Sequence, residues 1–209
     1  MPRDRARGML PPVSTAFVGR VGELEQLVTM LDRSLGGRGE IALVSGEPGI
    51  GKSRLVEELA IRAQARGVRV SWGRCWELGS APADWPGIQI LRELGAEGEL
   101  APPPLVAQLI GGSDALPERF ELFDACARFI VAASQREARL FVLDDLHAAD
   151  TASLLLLAFV VRQLRAARLS IVGTYRAAAR AARPAQKELV ATIGREARAV
   201  ALGGLTTAE

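Results

Sequence analysis

Histidine, lysine and cysteine are scarce in this chain. Of its 209 residues one is histidine (His147), two are cysteines (Cys75 and Cys126), and two of the 26 basic residues are lysines (Lys52 and Lys187). Neither cysteine lies in a C-x-x-C pair or beside a second ligand cluster, so no zinc-site spacing is present. Two thiols fit a reducing compartment, although two cysteines alone leave a disulfide open. Long apolar runs are missing as well: Leu154–Val161 is far short of the roughly 20 residues that span a bilayer. The opening MPRDRARGMLPPVSTA is basic and proline-broken and lacks the apolar segment of a secretory signal. These absences predict a soluble, cytoplasmic protein with a disordered tail over residues 1–15. Formal net charge is +2, with charges scattered along the chain, so bulk electrostatics demand neither nucleic acid nor membrane. No helix-turn-helix or aromatic–basic surface is visible, and no specific DNA binding by this segment is expected.

What is present is an alternation of short apolar runs with helical stretches. Residues 41–45 (IALVS), 68–72, 139–144 (RLFVLD), 169–174 and 199–202 read as strands. Residues 21–33, 52–66, 118–135, 151–166 and 185–197 read as helices, the fourth capped by Asp150. In the third, Phe120, Phe123, Cys126, Ala127 and Ile130 recur at helical spacing. Residues 77–117, rich in Gly and Pro, read as an insertion with one helix near 88–94. Trp72, Trp76 and Trp85 flank it and are read as packing residues. Continuous apolar strands alternating with helices predict an α/β fold, a parallel sheet covered on both faces.

Gly46, Glu47, Pro48, Gly49, Ile50, Gly51, Lys52 and Ser53 match G-x-x-x-x-G-K-[ST] in full, with a strand before and the helix 52–66, in which Arg54 follows the motif, after. Glycines let the backbone wrap so that successive N–H groups point at phosphate oxygens, and the helix start adds its positive dipole end. Lys52 can reach the β- and γ-phosphates, and the Ser53 hydroxyl can ligate Mg²⁺. The second element is LFVLDDLHAAD. It places Asp144 and Asp145 at the C-terminal end of a buried strand, the edge where ligands sit in open α/β sheets. Asp144 is the candidate Mg²⁺ ligand, through water, and Asp145 the group nearest an attacking water. Asp145 stands where robust hydrolases with this layout carry Glu, and its shorter side chain predicts slow hydrolysis. His147 reads as a turn residue, with a role at the γ-phosphate the lesser alternative. IVGTYR ends the fourth strand. If that strand lies between the first and third, Thr174 and Arg176 emerge beside the γ-phosphate, where Arg176 can stabilise charge.

FVGR with Glu23, GEPGIGKS, VLDDLHAAD and GTYR, in this order, resemble the STAND branch of the AAA+ ATPases. More narrowly they resemble the N-terminal ATPase domain of large bacterial LuxR-type transcriptional regulators, over about residues 16–207. The resemblance implies a P-loop NTPase with a five-stranded sheet of order 5-1-4-3-2. It implies Val18, Gly19 and Arg20 near the adenine, with ATP or ADP and Mg²⁺ as cofactors. It also implies a toggle between two states, passed to lid, sensor and DNA-binding domains of a longer chain or to partner subunits. The usual HWAD is His147-Ala-Ala-Asp150 here. On this reading residues 16–209 are the nucleotide-binding domain of a slowly hydrolysing switch, with the lid and C-terminal domains lying outside it. An active AAA+ motor or DNA-remodelling ATPase is the main alternative, and a small-molecule P-loop kinase a lesser one, given the basic stretch 177–183.

Overall fold

The computed structural model describes residues 19–75, 86–98, 100–112, 119–176 and 184–204. Along the chain run α1 (Val21–Leu35), β1 (Glu40–Ser45), α2 (Lys52–Ala65), β2 (Arg69–Arg74), α3 (Pro86–Ala96), α4 (Pro104–Ile110) and α5 (Arg119–Arg136). They are followed by β3 (Arg139–Asp144), α6 (Thr151–Val161), β4 (Leu169–Tyr175), α7 (Pro184–Glu196) and β5 (Arg198–Ala201). All five strands are parallel, in the order β2-β3-β4-β1-β5. This is the expected order read from the other edge, and it sets β4 between β1 and β3.

The two-residue period of the strands divides the core into two layers. Ala42, Val44, Leu140, Val142, Val172 and Val200 meet Leu24, Leu27 and Leu31 of α1 and Leu55, Val56 and Leu59 of α2. The alternate residues Ile41, Leu43, Phe141, Leu143, Leu169 and Ile171 meet α3 to α7, among them Leu91, Phe129, Leu154, Leu157 and Ile193. Burial on both faces explains why the strands read as unbroken apolar runs. Helix α6 (TASLLLLAFVV) is apolar on all sides because it lies among other elements, packing on α5, α7 and α3.

Four details depart from the sequence reading. The stretch 100–112 holds a further helix, α4: Pro104 sits in its first turn, where a missing N–H costs nothing, and Ala107 N–H bonds the Pro103 carbonyl at 2.9 Å. Helix α6 stops at Val161 rather than 166, and Leu164–Ala166 forms a separate 3₁₀ turn. That turn lies against Gly39, where a Cβ would come within 2.4 Å of the Leu164 carbonyl oxygen; close packing overrides the helix propensity of the sequence. Strand β2 runs two residues further, to Arg74. Phe120, placed by its spacing on the buried face of α5, is 69 % exposed and meets Phe159 edge-on at 5.7 Å. Expectations for residues 1–18, Trp76, Trp85 and 177–183 lie outside the described residues.

At the N-terminal edge of the sheet, Arg139 is buried and makes a two-pronged bond with Glu97, at 3.1 and 2.6 Å. Glu97, just past α3, also pairs with Arg69 at 3.3 Å, and Arg69 with Glu137 at 2.7 Å. This network ties the end of α3 to β2 and β3, at the edge opposite the P-loop.

Candidate functional site

The C-terminal ends of β1, β4 and β3 lie side by side, with Ser45 opposite Tyr175 and Leu143 opposite Gly173. Loop 46–51 leaves β1 there and turns into α2. Ile50 N–H closes a turn on the Glu47 carbonyl at 3.3 Å, and Gly49 (φ 77°) and Gly51 (φ 101°) take the left-handed backbone such a loop demands. Gly46 is needed for its size: a Cβ there would meet Leu202 O at 3.0 Å and Ile50 Cγ2 at 2.9 Å. Glu47 and Pro48 lie on the exposed rim. Lys52 is buried, and its Nζ donates to the carbonyls of Gly46 (3.0 Å) and Glu47 (2.9 Å), so the ammonium is folded into the loop it serves. The first turn of a helix leaves its N–H groups without intrahelical partners, and here that turn opens onto the loop.

Asp144 and Thr174 continue the strand series that faces α2, and three oxygens meet there. Ser53 Oγ lies 3.4 Å and 3.5 Å from the two Asp144 carboxylate oxygens. Thr174 Oγ1 donates to Asp144 Oδ1 at 2.5 Å and accepts from Asp145 N–H at 2.9 Å. Thr174, 1 % exposed, therefore braces the two acids, a role its position in GTYR alone did not reveal. Ser53 and Asp144 supply only hard oxygen donors, the chemistry Mg²⁺ prefers, and they are close enough to share one ion directly or through water.

The acids sit on a tightly stitched turn. Asp145 takes a left-handed backbone (φ 60°), which Asp tolerates better than most residues. Its carbonyl accepts from Ala148 N–H at 2.8 Å, closing a 3₁₀ turn over Leu146–Ala148. Leu146 reaches across to Gly173, where a Cβ would come within 2.2 Å of Leu146 Cδ1. Cys75 N–H bonds the Asp144 carbonyl at 3.1 Å, and Gln186 of α7 donates to the Ala149 carbonyl at 2.8 Å. Asp150 caps α6, as expected, through Ser153 N–H at 2.9 Å. His147 sits in this turn, its side chain 8 % exposed, with Nδ1 3.7 Å from Asp145 Oδ1. The sequence signal for the pair was one histidine two residues beyond the acids. Burial, together with the charges of Asp145, Asp144 and Asp150, pushes the Cys75 thiol up to about 12, so at neutral pH it is not a nucleophile.

Other sequence candidates lie around this centre. Arg176 follows Tyr175 at the end of β4, level with the start of the loop. Arg54 faces its own helix, 3.8 Å from Glu57 and 4.0 Å from Glu58. Gly19 (φ 71°) and Arg20 (φ 61°) form the turn before α1. The buried Arg20 guanidinium bonds Glu23 at 3.0 Å and the Gly203 carbonyl just beyond β5. Leu202 N–H in turn bonds Ser45 O at 2.8 Å, so the turn before α1, the chain leaving β5 and the root of the loop are linked. Val18 lies outside the described residues.

The fold recurs in known proteins. A model of the family described as the AAA ATPase domain matches residues 16–172. An uncharacterized protein of Rhizobium meliloti (strain 1021) is 31% identical over 88 residues, covering 41% of this chain and 9% of that protein. In structure the chain is similar to a signal transduction ATPase with numerous domains (STAND), with a tetratricopeptide repeat sensor, from Pyrococcus horikoshii. The TM-score is 0.55 at 20% identity, over 91% of this chain and 24% of that one. It is also similar to the Aeropyrum pernix ORC1 protein, solved in complex with DNA, with TM-score 0.53 at 18% identity over 91% of this chain and 47% of that one. The chain thus spans less than half the length of each of these proteins. Among the described residues no helix is long and apolar enough to cross a membrane.

Proposed function

This chain belongs to the AAA ATPase domain family, and from that premise we propose that it binds ATP with Mg²⁺ and hydrolyses it slowly, as the nucleotide switch of a longer regulatory protein. The observation that carries the proposal is the convergence of Lys52, Ser53, Asp144, Asp145 and Thr174 on one sheet edge. There Lys52 occupies carbonyls of its own loop that it can exchange for phosphate oxygens. Residues 46–54 wrap the phosphates, and Lys52 neutralises the β- and γ-oxygens. Ser53 and Asp144 would hold the Mg²⁺ ion, whose contribution is to offset charge on the β- and γ-phosphates. Gly19 and Arg20 border the base.

In the hydrolytic step Asp145 orients water in line with the bond between the γ-phosphorus and the bridging oxygen. The water oxygen bonds to phosphorus, the bridging bond breaks, and ADP and phosphate leave with the water's proton. Arg176, at the end of the strand between β1 and β3, stabilises the charge that develops. The short Asp145 side chain favours slow turnover, which suits a switch better than a motor. Residues 16–209 form the nucleotide-binding unit, with α3 and α4 as an insertion between β2 and α5. The motif order FVGR, GEPGIGKS, DDLHAAD, GTYR favours a cytoplasmic bacterial signalling or transcriptional regulator of the LuxR kind, whose other domains receive the nucleotide state.

ATP titration with and without Mg²⁺, followed by single-turnover hydrolysis, tests this. Lys52→Ala is expected to weaken ATP about tenfold or more, one decade being about 1.4 kcal/mol; unchanged affinity rejects the site. Turnover that rises severalfold with DNA would instead support a remodelling ATPase.

A further inference from the structure

With Asp150 engaged in capping α6, His147 is the chemistry-bearing residue of the DDLHAAD segment that the proposed reaction leaves without a task. Its imidazole is 8 % exposed, against 40 % for the Asp145 side chain, and its Nδ1 lies 3.7 Å from Asp145 Oδ1. The Asp145 main chain is held on both sides: its N–H by Thr174 Oγ1 at 2.9 Å and its carbonyl by Ala148 N–H at 2.8 Å. With φ at 60°, the only freedom left to this residue is rotation of a short, half-exposed side chain. The imidazole, buried in the same 3₁₀ turn, is the fixed partner beside it.

We propose that His147 is a positioning residue for Asp145, presenting Nδ1 as the donor that holds the carboxylate in the orientation needed to direct water. The inference rests on the ATPase reading above and assigns the histidine its part in it. A closure of under ~1 Å converts the 3.7 Å contact into a hydrogen bond of about 2.7–3.2 Å. Such a shift lies within the rotation left to the Asp145 side chain. The short reach of Asp is then an advantage: its carboxylate stays near its own backbone, where a residue two positions on in a tight turn can meet it. A histidine that merely fills the turn would be replaceable by any side chain of similar size. A positioning histidine needs a donor at the Nδ1 point.

Two substitutions separate these roles. The amide nitrogen of His147→Asn falls near Nδ1, whereas that of His147→Gln falls near Nε2. His147→Ala is expected to lower the single-turnover rate about tenfold or more while leaving the ATP dissociation constant within about twofold, the signature of an interaction used in the transition state. Asn should restore most of the rate and Gln little of it. Equal rescue by both, or an undiminished rate in the alanine variant, overturns the proposal.

A second measurement does not depend on turnover or on a buried substitution. As the only histidine of the chain, His147 gives one pair of ring-nitrogen resonances. Asp145→Asn at constant pH should shift the Nδ1 resonance more than Nε2. An unmoved Nδ1 overturns the contact. Absence of hydrolysis in the unaltered protein would overturn the ATPase reading, and the Nδ1 shift would then decide the His147–Asp145 interaction by itself.

Discussion

Thr174 and Asp144 are joined across the sheet edge: the buried threonine hydroxyl donates to Asp144 Oδ1 at 2.5 Å while accepting from the N–H of Asp145 at 2.9 Å. One hydroxyl thus fixes the side chain of the first acid and the backbone of the second. Thr174→Val keeps the shape and removes the hydroxyl, leaving the Asp145 N–H without that acceptor. It should destabilise the protein by about 1–3 kcal/mol. It should also lower the hydrolysis rate and weaken the Mg²⁺-dependent part of ATP binding, with Thr174→Ser close to the unaltered protein. Calorimetric titration with and without Mg²⁺, thermal melts and single-turnover assays check this. Wild-type melting and turnover in the valine variant would remove Thr174 from the site.

Much of this centre could be read in advance because strand periodicity carries side-chain direction. In LFVLDD the alternation that sends Leu140 and Val142 towards α1 and α2 sends Asp144 the same way, towards Ser53. The same count along IVGTY places Thr174 on that face and Gly173 on the other. A turn at His147 was expected, but the left-handed backbone at Asp145 and the contact that sets His147 beside it were not readable. They depend on contacts with Thr174 and Gly173, about 30 residues away in the chain. The same holds for α4, where prolines that usually mark loops stand at the one helical position that tolerates them, and for Phe120, whose spacing fits a buried face that the core does not reach.

The contact between Leu146 and Gly173 predicts a coupled pair. Gly173→Ala forces a Cβ to within 2.2 Å of Leu146 Cδ1 and 3.0 Å of Leu43 Cδ2, a clash worth about 1–3 kcal/mol. Leu146→Ala alone removes a buried side chain and should cost about 2–5 kcal/mol. The double variant should lose less than the sum, because the truncated Leu146 makes room for the new methyl. Urea unfolding of the four proteins closes the cycle, and strict additivity would show that the clash is relieved elsewhere.

The ion network at the opposite edge predicts a large loss of stability with no effect on the site. Glu97→Ala strips the buried Arg139 of its two-pronged partner. Glu137 stays 4.0 Å from the same guanidinium, so the loss should fall at the lower end of the about 3–5 kcal/mol that a fully uncompensated buried charge costs. The denaturation midpoint should fall accordingly, while ATP affinity measured well below that midpoint should not change. A loss under about 1 kcal/mol would place the pair with the weak surface bridges.

Cys126 gives a prediction with a defined pH window. It is buried in α5, and burial raises its thiol from the ordinary 9.0 to about 12. Between these values the unfolded chain releases the proton and the folded one keeps it, so high pH favours unfolding. The stability this thiol contributes is therefore complete below pH 9.0, the unfolded value, and is lost progressively as pH rises towards about 12. Because the thiolate is the reactive form, iodoacetamide at pH 8 should label Cys126 in urea-unfolded protein far faster than in the native state. A Cys126→Ala variant should show a shallower fall of the unfolding midpoint above pH 9. Rapid native labelling at pH 8, found by peptide mass mapping, would mean that α5 opens readily and that this thiol is not sealed in the core.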